Sequence, residues 1–274
     1  MDKKLAPSTA SLQNFPSHLP PEGPMKSTQG QFVWYDLITT DVDAAVAFYK
    51  SAIGWTTQMW AGTPYIMFAN KDVPLGGVVS TGKDMGNEPC WLPYVTVDDV
   101  DVAAGKVTEL GGTITSGPKD IPGSGRYAII TDPLGASIAI YKSSSPSTGL
   151  EVKPGIGQFS WHDLSTSDYK AALDFYGKIF GWKALTAHDM GPLGVYQMYG
   201  IDSEIGGMAN SVGDTAKPTW LCYIMVESVR KTIERVEQAG GKLTMGPHQV
   251  PTGDWIANCR DPQGAAFAIQ SNGA

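Results

Sequence analysis

The string GQFVWYDLITTDVDAAVAFYKSAIGW, from Gly30 to Trp55, returns as GQFSWHDLSTSDYKAALDFYGKIFGW from Gly157 to Trp182. About half of the paired positions are identical without a gap. Later blocks follow in the same order at nearly constant offset: WLPY from Trp91 with WLCY from Trp220, and DPLGASIAI from Asp132 with DPQGAAFAI from Asp261. Agreement in register at both ends of the repeat means that one domain is present twice, as duplication and fusion of a gene would leave it. A chain of 274 residues is long for one core and suits two domains of roughly 115 residues with tails. The expected division is a tail over 1–29, a first domain over 30–142, a linker over 143–156 and a second domain over 157–271. The tail is rich in Pro, Ser and Gln, lacks periodicity and lacks the apolar core of a secretory signal, so it reads as disordered, with Met25 a candidate start. SSSPSTGLEVKPG, from Ser143, has linker composition.

No apolar run approaches the ~20 residues that span a bilayer. A net charge of -7 argues against a surface that tracks phosphates, so neither membrane nor nucleic acid is an expected partner. Three cysteines, Cys90, Cys222 and Cys259, form no CxxC pair, which fits reduced thiols and a cytoplasmic setting.

Each half repeats one series of patterns. Gln31 to Ile38 alternates as a strand, Asp41 caps a helix with apolar residues at Val42, Ala45, Val46 and Tyr49, and Gly54 ends it. Short apolar runs at 65–69 and 76–80 read as strands. The series restarts with a strand from Trp91 to Val97, a cap at Asp98-Asp99, a helix from Val100 to Leu110 and strands near 113–116, 126–131 and 137–141. The second half repeats it, with strands from Gln158 and Trp220 and helices over 169–180 and 228–239.

Phe48-Tyr49 with Gly54-Trp55, Phe175-Tyr176 with Gly181-Trp182, and the D-P-x-G turns at Asp132 and Asp261 together resemble the vicinal-oxygen-chelate superfamily of glyoxalase I, bleomycin-resistance proteins and extradiol dioxygenases. The resemblance covers nearly all of Gly30 to Ser271. It implies an α+β fold in which four βαβββ modules form two cup-shaped mixed sheets, two modules to a cup, in a covalent version of what is often a homodimer. The chain is accordingly expected to be a monomer that is a pseudo-dimer by fusion, or a homodimer. The turn Asp bonds local backbone while Gly supplies positive φ, so the D-P-x-G motif reads as structural. The aromatic pairs read as packing of helix on sheet.

Enzymes of that superfamily hold a divalent ion with His and carboxylate ligands. Carried onto this chain, the first-strand ligand positions fall on Trp34 and Trp161, those of the later modules on Leu92 and Leu221, and the last-strand positions on Ala139 and Ala268. The remaining position lies in Gly77 to Val79 and Gly207 to Ala209. None of these residues is a metal ligand, and no cofactor is expected. His162 neighbours a ligand position, but alternation turns it to the opposite face. A metal built from His162, His248 and Glu204 would require a slipped register.

If Trp34 faces the cup, alternation brings Asp36 with it, and Trp161 brings Asp163. Tyr94, Tyr223, Tyr141 and Gln270 join them by the same counting. Arg126 and Trp255 stand at equivalent places and are candidates for a difference between the cups. The expected function is binding of a small aromatic or hydrophobic molecule in one or both cups without the usual metal. The rivals are a metal-dependent lyase or dioxygenase with displaced ligands, and metal-free catalysis with Asp36 or Asp163 as general base. Asp36 and Asp163 read equally well as structural.

Overall fold

A computed structural model of the protein describes residues 28–81, 88–145, 153–211 and 217–273. The tail reading for 1–29 falls almost wholly outside these residues, as does the middle of the linker.

The first half runs β1 (Phe32–Thr39), α1 (Val42–Ala52), β2 (Thr56–Met59), β3 (Ile66–Asn70), β4 (Val73–Ser80), β5 (Cys90–Thr96), α2 (Val100–Glu109), β6 (Thr113–Ile121), β7 (Gly125–Thr131) and β8 (Ser137–Ser143). The second half repeats the series. It runs β9 (Phe159–Thr166), α3 (Tyr169–Phe180), β10 (Lys183–Asp189), β11 (Val195–Gly200), β12 (Glu204–Asn210), β13 (Thr219–Met225), α4 (Val229–Gln238), β14 (Lys242–Gln249), β15 (Trp255–Arg260) and β16 (Ala266–Ser271).

Each half therefore holds two βαβββ modules. They join into one eight-stranded mixed sheet, in the order β2-β3-β4-β1-β5-β8-β7-β6, and the second half has the equivalent order. β1 pairs parallel to β4 and β5 parallel to β8, while β1 and β5 run antiparallel at the seam between modules.

The helices begin where acceptor side chains can take orphan N–H groups. Asp41 accepts from Ala44, Asp99 from Asp101 and Val102, and Asp168 from Lys170 and Ala171. α3 ends at Gly181, whose φ of 81° a side chain would resist. β2 and β10, absent from the sequence expectation, are edge strands with little burial, so neither carries the alternation that marks a half-buried strand.

The helix-side faces of the two sheets meet, and the aromatic pairs lie in that junction rather than merely fastening a helix to its own sheet. One core combines Phe48, Tyr49 and Trp55 of the first module with Val229, Ile233 and Phe267 of the fourth. The other combines Val100, Val107 and Ile130 of the second module with Phe175, Tyr176 and Trp182 of the third. Motifs that resemble the superfamily bond one another across the halves. The Tyr49 hydroxyl donates to Asp261 (3.3 Å) and Tyr176 to Asp132 (2.9 Å), while the other oxygen of each Asp accepts two N–H groups of its own turn. Trp55 Nε1 donates to the Gly157 carbonyl (2.7 Å) and Trp182 Nε1 to that of Gly30 (2.8 Å).

At the pseudo-dyad the equivalent residues Tyr35 and His162 meet, Tyr35 Oη lying 2.6 Å from Nε2. Phe32 stacks on His162 at 3.6 Å and Phe159 on Tyr35 at 3.7 Å. His162 is 5% exposed, and burial pushes its pKa down from 6.5 to about 3, against the smaller opposing effect of its bond to the Ile205 carbonyl. Between those two values the unfolded chain binds a proton that the folded chain refuses, so this group's contribution to stability is complete above pH 6.5 and falls as the pH drops toward 3. His162→Phe retains the ring stack without the titration. Relative to that variant, the wild type should lose about 2 kcal/mol between pH 6.5 and pH 5. The comparison cancels the buried carboxylates Asp36, Asp163 and Asp261, whose raised pKa values act with the opposite sign. Urea denaturation of both proteins at the two pH values measures it; parallel losses would contradict the assignment.

Candidate functional site

The sheet faces turned away from the helices are the cups. In the first, β1 places Trp34 and Asp36 on the open face and Tyr35 in the inter-domain core. Register then builds a cross-strand row: Trp34 lies opposite Tyr94, Tyr94 beside Ala139, and Ala139 opposite Ile129. Buried Ile38, Leu92, Tyr94, Ile129 and Ala139 form a small cluster, with Trp34, Tyr127 and Tyr141 among the half-buried residues around it.

Asp36 is the polar centre of this floor. One carboxylate oxygen accepts from Trp34 Nε1 (3.0 Å) and from the Tyr65 hydroxyl (2.5 Å), and the other accepts from the Tyr94 hydroxyl (2.7 Å). Trp34 Nε1 also reaches Tyr65 Oη at 3.0 Å. The second cup repeats the arrangement. Asp163 accepts from Trp161 Nε1 (3.0 Å), Tyr196 (2.6 Å) and Tyr223 (2.7 Å), and Trp161 Nε1 lies 2.7 Å from Tyr196 Oη.

Tyr65 and Tyr196 can reach these carboxylates because Gly77 and Gly207, level with the two Asp residues on the neighbouring parallel strands, have no side chain. A Cβ on Gly77 would overlap the Tyr65 hydroxyl, and one on Gly207 the Tyr196 ring. These tyrosines were not among the sequence candidates. The Tyr-x-Met repeat at 65–67 and 196–198 was the available signal, obscured by an offset four residues longer than that of the preceding helices.

Burial raises the pKa of Asp36 and of Asp163; the bonds from Tyr65, Tyr94 and Trp34 oppose it at Asp36, and those from Tyr196, Tyr223, Trp161 and the Gly207 backbone oppose it at Asp163. Burial and the neighbouring carboxylate raise Tyr65, Tyr94, Tyr196 and Tyr223, so all four phenols stay protonated donors. A carboxylate offers about four acceptor sites, so Asp36, with three donors, retains one for a further donor, whereas the Gly207 backbone takes up the fourth at Asp163. Each floor thus presents an indole face beside a buried carboxylate, and the row that continues from it ends on Ile129 in the first cup and on Asn258 in the second.

Arg126 and Trp255 are not cup residues. Tyr127 lies opposite Tyr141 on the open side, so Arg126 falls on the helix side, where it pairs with Asp101 of α2 and with Asp120. Trp255 takes the equivalent place and lies 5.1 Å from the guanidinium of Arg230, the α4 counterpart of Asp101. Tyr141 faces the first cup and its hydroxyl bonds Ser124. Gln270, its counterpart, is held by Ser160 and Asp254.

Trp34, Leu92, Gly77 and Ala139 bring no metal donor to the positions carried over from the superfamily, nor do their counterparts. His162 is committed to the inter-domain core, so His162, His248 and Glu204 do not form a set. Among the described residues no group of three or more His, Cys, Asp or Glu side chains stands together. Burial pushes Cys90 up to about 11 and Cys259 up to about 12, which keeps both as thiols. No helix among the described residues is long and apolar enough to cross a membrane. A groove of about 940 Å³ runs between the halves, with Phe32, Tyr35, Phe159 and His162 in its lining.

Comparison with known proteins places this geometry in context. The family model described as Glyoxalase/Bleomycin resistance protein/Dioxygenase superfamily matches residues 31–140 and again 155–269. "Putative glyoxylase CFP32" of Mycobacterium tuberculosis is 30% identical over 251 residues, covering 88% of this chain and 94% of that protein. "Anthracycline biosynthesis protein DnrV" of Streptomyces peucetius is 29% identical over 259 residues, covering 88% and 92%. Among solved structures, the 2,3-dioxygenase LapB of Pseudomonas sp. KL28 superposes with a TM-score of 0.65 at 13% identity, covering 90% of this chain and 94% of that one. The Mn(II)-bound glyoxalase of Novosphingobium aromaticivorans gives 0.62 at 17%, covering 89% and 82%. At these identities the structural matches speak for the fold alone.

Proposed function

The chain belongs to the Glyoxalase/Bleomycin resistance protein/Dioxygenase superfamily, and on that premise we propose that it binds a small aromatic or hydrophobic molecule in one or both cups without a metal ion. The observation that carries the reading is the duplicated floor. In each cup an indole stands at the position where a catalytic relative would hold its first ligand, locked by its N–H to a carboxylate and a phenol. A divalent ion needs several N, O or S donors converging on one point, and this donor set does not fit one. A flat apolar ring face with a few fixed polar groups is what a small-molecule site requires. The relative named for anthracycline biosynthesis supports an aromatic ligand class.

The raised pKa of Asp36 and Asp163 supports a second reading, in which one of the two carboxylates takes a proton from a bound substrate. On the first reading, calorimetric titration of 1-naphthol into chelator-treated protein gives saturable heat. A folded sample that yields none across an aromatic series rejects it. The second reading adds turnover that follows the ionisation of one carboxyl group and disappears in Asp36→Asn or Asp163→Asn.

A further inference from the structure

We propose that the two cups have diverged, so that the first takes an apolar aromatic face and the second takes a ligand whose hydroxyl, carbonyl or amide group is gripped by the Asn258 side chain. This rests on the reading of the cups as ligand sites. Register aligns the two floors residue by residue. The first row runs Trp34, Tyr94, Ala139, Ile129; the second runs Trp161, Tyr223, Ala268, Asn258. Three members of the row keep their chemistry. The fourth changes from a branched hydrocarbon to a carboxamide, and beyond it Ile38 becomes Ser165 and Tyr141 becomes Gln270.

Asn258 differs from the other polar groups of its cup in that its side-chain oxygen has no partner among the described residues. Asp163 is bonded by Trp161, Tyr196, Tyr223 and the Gly207 backbone, and both ends of the Gln270 amide are held, by Ser160 and by Asp254. Asn258 Oδ1 is buried and accepts no hydrogen bond among the described residues. A buried polar atom without a partner is costly, which makes it rare in a folded domain and favours an occupant toward which the amide can turn that oxygen. With no hydrogen bond to its oxygen, the Asn258 amide can turn to present donor or acceptor as the occupant requires. A hydrocarbon at Ile129 offers neither.

Phenol and toluene have nearly the same size and differ in one polar group, so they serve as probes. In the full chain, the indole N–H signals of Trp34 and Trp161, assigned through Trp34→Phe and Trp161→Phe, report each floor separately. Phenol is expected to shift the Trp161 signal with an affinity about tenfold tighter than toluene, whereas toluene shifts Trp34 at least as strongly as phenol does. Asn258→Ile, the residue that the first cup already accommodates, should bring phenol at the second cup down to the affinity of toluene and leave the Trp34 response unchanged. Equal affinities of the two probes at Trp161 in the unaltered protein would overturn the proposal, and so would an unchanged phenol affinity in a folded Asn258→Ile protein. If neither probe moves either indole, it is the reading of the cups as ligand sites that falls, and this proposal with it.

Discussion

Asp163→Leu should destabilise the protein by about 2–4 kcal/mol, even though it removes a charge that is costly to bury. Leucine relieves the desolvation of the carboxylate, which is the larger cause of its raised pKa. It also strands the Tyr196 and Tyr223 hydroxyls, which point at Asp163 from 2.6 and 2.7 Å, and Tyr223 is only 4% exposed and has no water to turn to. Each stranded donor costs about 1–3 kcal/mol, so the lost acceptor outweighs the relieved desolvation. Tyr223→Phe alone should cost about 1 kcal/mol. In the double variant the losses should fall short of their sum by at least about 1 kcal/mol, because the second substitution removes the donor that the first one stranded. Urea denaturation of the four proteins measures this cycle. Strict additivity would mean that the carboxylate and the phenol are not coupled.

Trp182→Ala should be more damaging still, at about 3–5 kcal/mol for the emptied space and about 1 kcal/mol more for the lost hydrogen bond. Trp182 is 3% exposed, with the rings of Phe180 and Tyr199 both 4.7 Å away and its Nε1 on the Gly30 carbonyl of the other half. Because each core is built from residues of both halves, the loss should reach both halves at once. One urea transition, shifted to lower concentration with its slope preserved, is the expected result. A second transition confined to half of the signal would show that the halves are stable apart. Trp182→Phe should retain most of the packing and lose the bond to Gly30.

Much of this architecture is legible in the amino-acid sequence because it is written in local pattern. The caps at Asp41, Asp99 and Asp168, the glycine that closes α3 and the period-2 alternation of β1 and β9 each depend on residues within a few positions of one another. That alternation suffices to place Trp34 with Asp36 and to send His162 to the other face. What the sequence does not disclose is register between strands that are distant in the chain. Arg126 and its counterpart Trp255 differ between the halves, yet the pairing of β7 with β8 and of β15 with β16 turns both to the helix side. The approach of Tyr65 and Tyr196 to the carboxylates depends on β3 and β11 pairing alongside β4 and β12, where Gly77 and Gly207 leave room for the rings. The bonds from Tyr49 to Asp261 and from Tyr176 to Asp132 were hidden for the same reason, since each joins a helix of one half to a turn of the other.

The measurement that bears most directly on the cups is a titration of 1-naphthol into chelator-treated full-length protein, followed through the indole N–H signals of Trp34 and Trp161. Saturable movement of one or both signals in the absence of any divalent ion is the predicted result. Saturable binding that leaves both indoles unmoved would put the ligand elsewhere, with the groove over Tyr35 and His162 the first place to look, and movement that appears only after a divalent metal is restored would contradict the metal-free reading.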